Sequence, residues 1–161
     1  MTRLSDGRLV LLAAEIRAEC ARVTRCVQEM RSAAEAIAAP APRTLEIYGA
    51  AALLDSFYSG VEKVLEHVAR AFDADPTGSG WHRELLEASA LELPGLRPAV
   101  LAPERIRDLD AYLGFRHRFR HLYVFDLEPA RLLPLLQDAD GVWQATEADL
   151  LGFAERLMGW A

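Results

Sequence analysis

Apolar residues recur at intervals of three and four along almost the whole chain, and no stretch alternates apolar with polar over the length of a strand. At a helical period such residues gather into one stripe, whereas a strand would send them to opposite faces. The pattern therefore predicts an all-α protein, and the prolines divide it into elements. A first helix starts after Ser5 and Asp6, either of which can cap it, and runs to about Ala38. The "APAP" run at 39–42 ends it, because successive prolines remove donors and clash with the preceding turn. A second helix follows from Thr44, a capping residue, to about Phe72. It carries Leu53, Leu54, Phe57, Val61, Val64, Leu65 and Val68 on one broad face.

"DADPTGSG" (73–80) reads as a turn-rich connection, "WHRELLEASAL" as a short third helix, and 92–103 as a loop held by Pro94, Pro98 and Pro103. The fourth helix begins at Pro103 and carries "ERIRDLDAYLGFRHRFRHLYVF", with Asp126 and Pro129 marking its end. "ARLLPLLQD" reads as a short fifth helix, and Gly141 separates it from a final one over "WQATEADLLGFAERLMGW". No repeat or linker splits residues 1–161, so the expectation is one domain, an up-and-down helical bundle with short extra helices.

Composition excludes several classes. No apolar run approaches the roughly 18 residues of a membrane span, and Glu15 and Arg17 interrupt the first apolar stretch with helical spacing, unlike a signal peptide. Cys20 and Cys26 share the first helix at a spacing that suits neither a redox pair nor a zinc site, as expected of reduced thiols in the cytosol. A formal net charge of −6 argues against a chain that coats nucleic acid with its whole surface, so any polyanion must meet a local patch.

"FRHRFRHLY" (115–123) is such a patch. At about 100° per residue, Tyr112, Phe115, Phe119 and Leu122 share an apolar stripe. Arg116 and Arg120 lie together on that wheel with Tyr123 beside them, His117 and His121 form a second pair, and Arg118 stands apart. Three readings are open. The patch can be a solvated face whose cations suit a helix C-terminus. The two histidines at i,i+4 can be metal ligands, although Arg118 stands where a zincin-type motif needs its glutamate, and flanking arginines repel a dication; no metal is expected. Or the patch can work on a phosphodiester: an arginine holds the non-bridging oxygens, a histidine moves protons near neutral pH, and a tyrosine adds a hydroxyl. Attack of a ribose 2′-hydroxyl on its own phosphate needs only those functions and no cofactor.

Arg116, His121 and Tyr123 also spell R-x4-H-x-Y on the penultimate long helix of a bundle, and there the chain resembles the HEPN-domain ribonucleases, specifically the HepT toxins. "LLDSFYSGVEKVLEHVARAFD" and "WHRELLEASALELPGLRPAVL" resemble HepT-like proteins too, so the likeness covers roughly residues 44–137. His117 fits the polar residue these proteins prefer after the arginine, where Asn or Asp is more usual, and Leu122 stands where many carry a small residue. The resemblance implies a HEPN-type bundle and a homodimer whose motifs face each other across a cleft. It implies metal-free RNA cleavage that leaves a 2′,3′-cyclic phosphate. It also implies an MNT-type nucleotidyltransferase antitoxin that adenylylates the motif tyrosine. Carried over by position, His121 is the general acid/base, Arg116 the phosphate clamp, His117 a supporting polar group and Tyr123 the modification site, with Arg118 and Arg120 on the RNA. Glu62 either supports the motif by hydrogen-bonding its arginine or histidine, or is an ordinary solvated glutamate. His82, after Trp81, is expected to cap or pack, His67 has no role, and Tyr48 and Tyr58 are expected to pack with their hydroxyls in water. A non-catalytic HEPN module that partners a nucleotidyltransferase is the alternative implied by the same resemblance.

Overall fold

The computed structural model describes residues 5–72 and 78–160, so residues 73–77 of the expected turn lie outside the described residues. The helices are α1 (Asp6–Ala38), α2 (Thr44–Phe72), α3 (Trp81–Ser89), α4 (Pro103–Phe119) and α5 (Pro129–Met158), with a 3-10 turn at Val124–Asp126. Among the described residues there is no strand; Leu93 and Arg97 make one isolated bridge. No helix among them is long and apolar enough to cross a membrane.

The α1 stripe of Leu9, Leu12, Ile16, Cys20, Val23, Val27 and Met30 is buried, as the i, i+3, i+4 spacing requires. It packs on α2 and α5, and α4 packs on α2 and α5 in turn. Phe57 of α2 sits edge-on to Tyr112 of α4, with ring centres 4.9 Å apart, and to Trp143 of α5 at 6.2 Å. Several buried polar groups in this core are bonded. Trp143 Nε1–H donates to Thr24 Oγ1 at 2.9 Å, and the Thr24 hydroxyl donates to Glu147. Where α5 returns along α4, the Tyr112 hydroxyl donates to the Leu135 carbonyl at 2.8 Å. Burial pushes the Cys20 thiol up to about 12 and that of Cys26 up to about 11, so both are poor nucleophiles at neutral pH.

Four details differ from the sequence expectation. Ser5 takes the α1 cap position without a side-chain hydrogen bond. Thr44 is already helical; the cap position falls to Arg43, whose carbonyl accepts from Ile47 and whose own N–H donates back to the Glu46 carboxylate at 2.8 Å. α5 runs unbroken through Pro134 and Gly141, because Leu136, Ala139 and Trp143 hold one buried face in phase across the glycine. A helical glycine costs about 1 kcal/mol, less than the roughly 1.5–3 kcal/mol from burying one large apolar side chain. Finally, α4 stops at Phe119, short of the expected end near Phe125.

That last stop has a local cause. Phe115 and Phe119 finish the apolar stripe, and the next apolar anchor, Leu127, already belongs to the corner that leads into α5. The chain must therefore turn within 120–128. It does so by tightening its hydrogen bonds to the i→i+3 pattern, from His121 N–H to Arg118 O (3.0 Å) and from Leu122 N–H to Phe119 O (3.2 Å). Leu122, expected in the buried stripe, is consequently 44% exposed.

Two glycines test this packing in opposite directions. A Cβ on Gly60 would lie 2.5 Å from Val23 Cγ2, where α1 and α2 approach closely, whereas a Cβ on Gly141 would meet nothing within 4 Å. In urea unfolding, Gly60→Ala should lose about 1–3 kcal/mol, and Gly141→Ala should gain about 0.5–1 kcal/mol. Equal effects would contradict the close approach.

Candidate functional site

Asp55, Tyr58 and Glu62 follow one another at helical spacing along α2, beside its core face. α4 brings Arg116 against them. Its guanidinium donates from Nη1 to Glu62 Oε1 at 2.5 Å, and its Nε lies 3.8 Å from Asp55 Oδ1, in ion-pair range but too far for a hydrogen bond. Cζ of Arg116 stands 5.9 Å from the centre of the Tyr58 ring. The Arg116 and Glu62 side chains are 9% and 3% exposed, so the pair is buried.

α3 supplies a fourth group. His82, in its first turn, stacks on Trp81 and places Nδ1 2.6 Å from Glu62 Oε2. A carboxylate only accepts, so Nδ1 carries the hydrogen. The 3.5 Å approach of Arg116 Nη1 to the same nitrogen is then two donors drawn to the two oxygens of one carboxylate rather than a bond between them. Glu62 thus accepts from α3 with one oxygen and from α4 with the other. Removing one partner of a buried pair leaves an uncompensated charge, at a cost of about 3–5 kcal/mol.

The rest of the basic stretch points elsewhere. His117, Arg118, Arg120, His121 and Tyr123 are all exposed, Tyr123 at 71%. His117 and His121 remain neighbours across the tightened turn, with ring centres 5.9 Å apart. Among the described residues, no third His, Cys, Asp or Glu gathers with them as a metal site would need. Neither Arg118 nor Arg120 has an ion-pair partner among the described residues.

The expected ridge is therefore corrected in two ways. Arg116 is turned inward and not beside an exposed Arg120, and His121 and Tyr123 lie beyond the helix, in the 120–128 connection. The structure brings Arg116 together with Glu62, and no hydrogen bond or ion pair joins it to His117, His121 or Tyr123 among the described residues. Glu62 takes the supporting position and is not solvated. The Tyr58 hydroxyl, expected in water, is buried with no hydrogen-bond partner among the described residues, and burial raises its pKa, helped by the Glu62 charge. Tyr48 is 47% exposed and packs against Phe119 at 5.9 Å. His67 lies 3.7 Å from Glu15, away from this cluster.

A family model described as HepT-like protein matches residues 49–157, about two thirds of the chain. The chain belongs to the HepT-like family. No curated protein and no solved structure matches it. The HepT-like segment runs from α2 to the end of α5 and so contains every member of the buried cluster and the whole 120–128 connection. The whole of α1 and its share of the core lie outside it. The helical architecture is that of a HEPN-type bundle.

Asp55 and His82 belong to this HepT-like cluster and were missed from the sequence. Asp55 carried a legible signal, since a carboxylate stripe at 55 and 62 bordering a core face demands a cation. His82 carried none, because α3 meets α2 only in the fold.

The cluster makes an ordered prediction for unfolding in urea. Glu62→Ala should cost about 3–5 kcal/mol, since it strands a buried guanidinium. His82→Ala should cost less, about 1.5–3 kcal/mol, the worth of one hydrogen bond to a charged group. Equal, small losses at both positions would show that Arg116 finds water instead.

Proposed function

We propose that the chain is a metal-independent endoribonuclease toxin of the HepT kind, working as a cytoplasmic homodimer. The observation that supports this most directly is the pair of exposed imidazoles, 5.9 Å apart, on a turn flanked by two arginines with no carboxylate partner among the described residues. That is the set a phosphodiester needs. A base takes the proton of the ribose 2′-hydroxyl, whose oxygen attacks phosphorus. The bond to the 5′-oxygen breaks as an acid protonates it, leaving a 2′,3′-cyclic phosphate and a 5′-hydroxyl. His121 is the group in the motif position for proton transfer, with His117 beside it. Arg118 and Arg120 are placed to hold the non-bridging oxygens. Arg116 keeps the clamp role only through the edge it does not give to Glu62.

With His117 in a supporting role, His121 is the single proton-transfer group of each protomer, and one imidazole cannot be base and acid in the same step. A two-fold axis beside the 120–128 connection would supply a second set across a cleft. The partner in this reading is an MNT-type nucleotidyltransferase that moves AMP from ATP to the Tyr123 oxygen, with pyrophosphate leaving. The 71% exposure of Tyr123 suits that access. The added phosphate would pair with the neighbouring arginines and draw them from the RNA.

One observation favours a second reading, a non-catalytic HEPN module that binds the nucleotidyltransferase: the motif arginine is buried and neutralised by Glu62. Cleavage separates the two. Purified protein should cut single-stranded RNA in EDTA, and His121→Ala should lower the rate about a hundredfold or more while leaving the helical circular dichroism unchanged, because the side chain is exposed. Intact RNA with wild type supports the binding module, and undiminished cutting by His121→Ala removes His121 from the mechanism. With the partner and ATP, wild type should gain the mass of AMP and Tyr123→Phe should not; equal labelling would place the modification elsewhere.

A further inference from the structure

The 120–128 connection exposes more aromatic surface than a turn between two helices needs. Phe125 is 76% exposed and Tyr123 71%, and their rings lie parallel, 5° apart in plane with centres 5.3 Å apart. The Asp126 N–H to Tyr123 carbonyl bond (2.9 Å) closes the turn that holds them side by side. Neither ring is in the core, so this pairing is not a by-product of packing. Leu122 (44%) and Tyr48 (47%) extend the apolar surface toward the start of α2.

Cations border it. Arg118, Arg120, His117 and His121 are exposed, and neither arginine has a carboxylate in ion-pair range among the described residues, in a chain whose formal net charge is −6. Elsewhere Arg22, Arg31, Arg43, Arg83, Arg105 and Arg131 have carboxylate partners, whereas Arg8, Arg17, Arg25 and Arg107 have none among the described residues; Arg118 and Arg120 differ from those four in lying two positions apart beside the turn. The 120–128 connection carries two carboxylates, Asp126 and Glu128, and Glu128 is taken up by Arg131 of α5. Flat rings open to solvent beside unpaired guanidiniums are what a single nucleic-acid strand requires: bases stack on the rings while phosphates meet the cations. A duplex hides its base faces and cannot use the rings in this way. A cleft on the proposed two-fold axis leaves room for a single strand, whereas rings pressed directly together across it would set the cationic borders of the two copies against each other.

We infer that Phe125, with Tyr123, is a stacking platform for an unpaired base of a single-stranded RNA whose phosphates lie on Arg118 and Arg120. The inference rests on the proposed RNA reading and deepens it by naming where a base is held. Phe125 has no part in the proton transfers, so the platform can be tested apart from cleavage.

The test is fluorescence anisotropy with a short labelled oligouridine, in the His121→Ala background so that the strand stays whole. The same strand made of abasic ribose phosphate serves as control. Phe125→Ala should weaken binding of the oligouridine about tenfold; Phe125→Leu should not restore it and Phe125→Trp should. The abasic strand should bind weakly and equally to all of these variants. Equal binding of oligouridine to the Ala and parent proteins would overturn the platform, as would full rescue by Leu, which keeps apolar surface without a ring face. A change in sedimenting mass with Phe125→Ala would also overturn it, by assigning the rings to a contact between copies. Oligouridine binding that follows Phe125 in a wild-type chain that never cuts RNA would uphold the platform and defeat the ribonuclease reading. Cleavage with unaltered binding by the Phe125 variants would do the reverse.

Discussion

The buried ion pair between Glu62 and Arg116 determines which side of α4 faces the solvent. Arg116 must point at α2 to meet its carboxylate, and at about 100° per residue the following His117 and Arg118 must then turn away. Glu62 ties three helices at one point, because its second oxygen accepts from His82 of α3. The final turn of α4 is thereby held in place where the chain leaves the helix. The exposed imidazoles, guanidiniums and aromatic rings of 117–125 follow from that orientation.

Electrostatics divides the motif into two parts with different physical duties. Arg116 is a neutralised, desolvated charge whose value lies in being paired, and its loss would be felt first in stability. Arg118, Arg120, His117 and His121 are solvated and cost the fold little, so they are available to a ligand. An acidic chain with a local cationic turn can meet a polyanion there without coating itself elsewhere. The HepT-like segment contains both parts, whereas α1 lies wholly outside that segment and contributes chiefly to the core through its long apolar stripe.

Much of the architecture was legible because prolines and apolar period act locally. "APAP" stops α1 at Ala38, and the helical spacing of Phe57, Val61, Val64 and Val68 marks the buried side of α2. Two boundaries were not legible. Phe119 and Leu122 continue the helical stripe in sequence, but the turn toward Leu127 takes Leu122 off the core. Gly141 looks like a break, but Leu136 and Trp143 on either side remain in phase and carry α5 through it. The motif residues were found by spacing, yet their partners were not. Arg116 and Glu62 are 54 positions apart, and only the packing of α4 on α2 joins them. A wheel drawn for α4 alone set Arg116 beside Arg120 because it had no knowledge of which neighbour each face would meet.

The most direct test of this buried pair is a double-mutant cycle of Glu62→Gln and Arg116→Met, read as unfolding free energy in urea. Each single variant leaves its partner unsatisfied in the interior, whereas the double variant removes both charges. The structure predicts a double variant more stable than the sum of the two losses allows, with a coupling of about 2 kcal/mol or more. Losses that add to within about 0.5 kcal/mol would mean that the two side chains do not depend on each other, and would contradict the anchoring of α4 by Glu62.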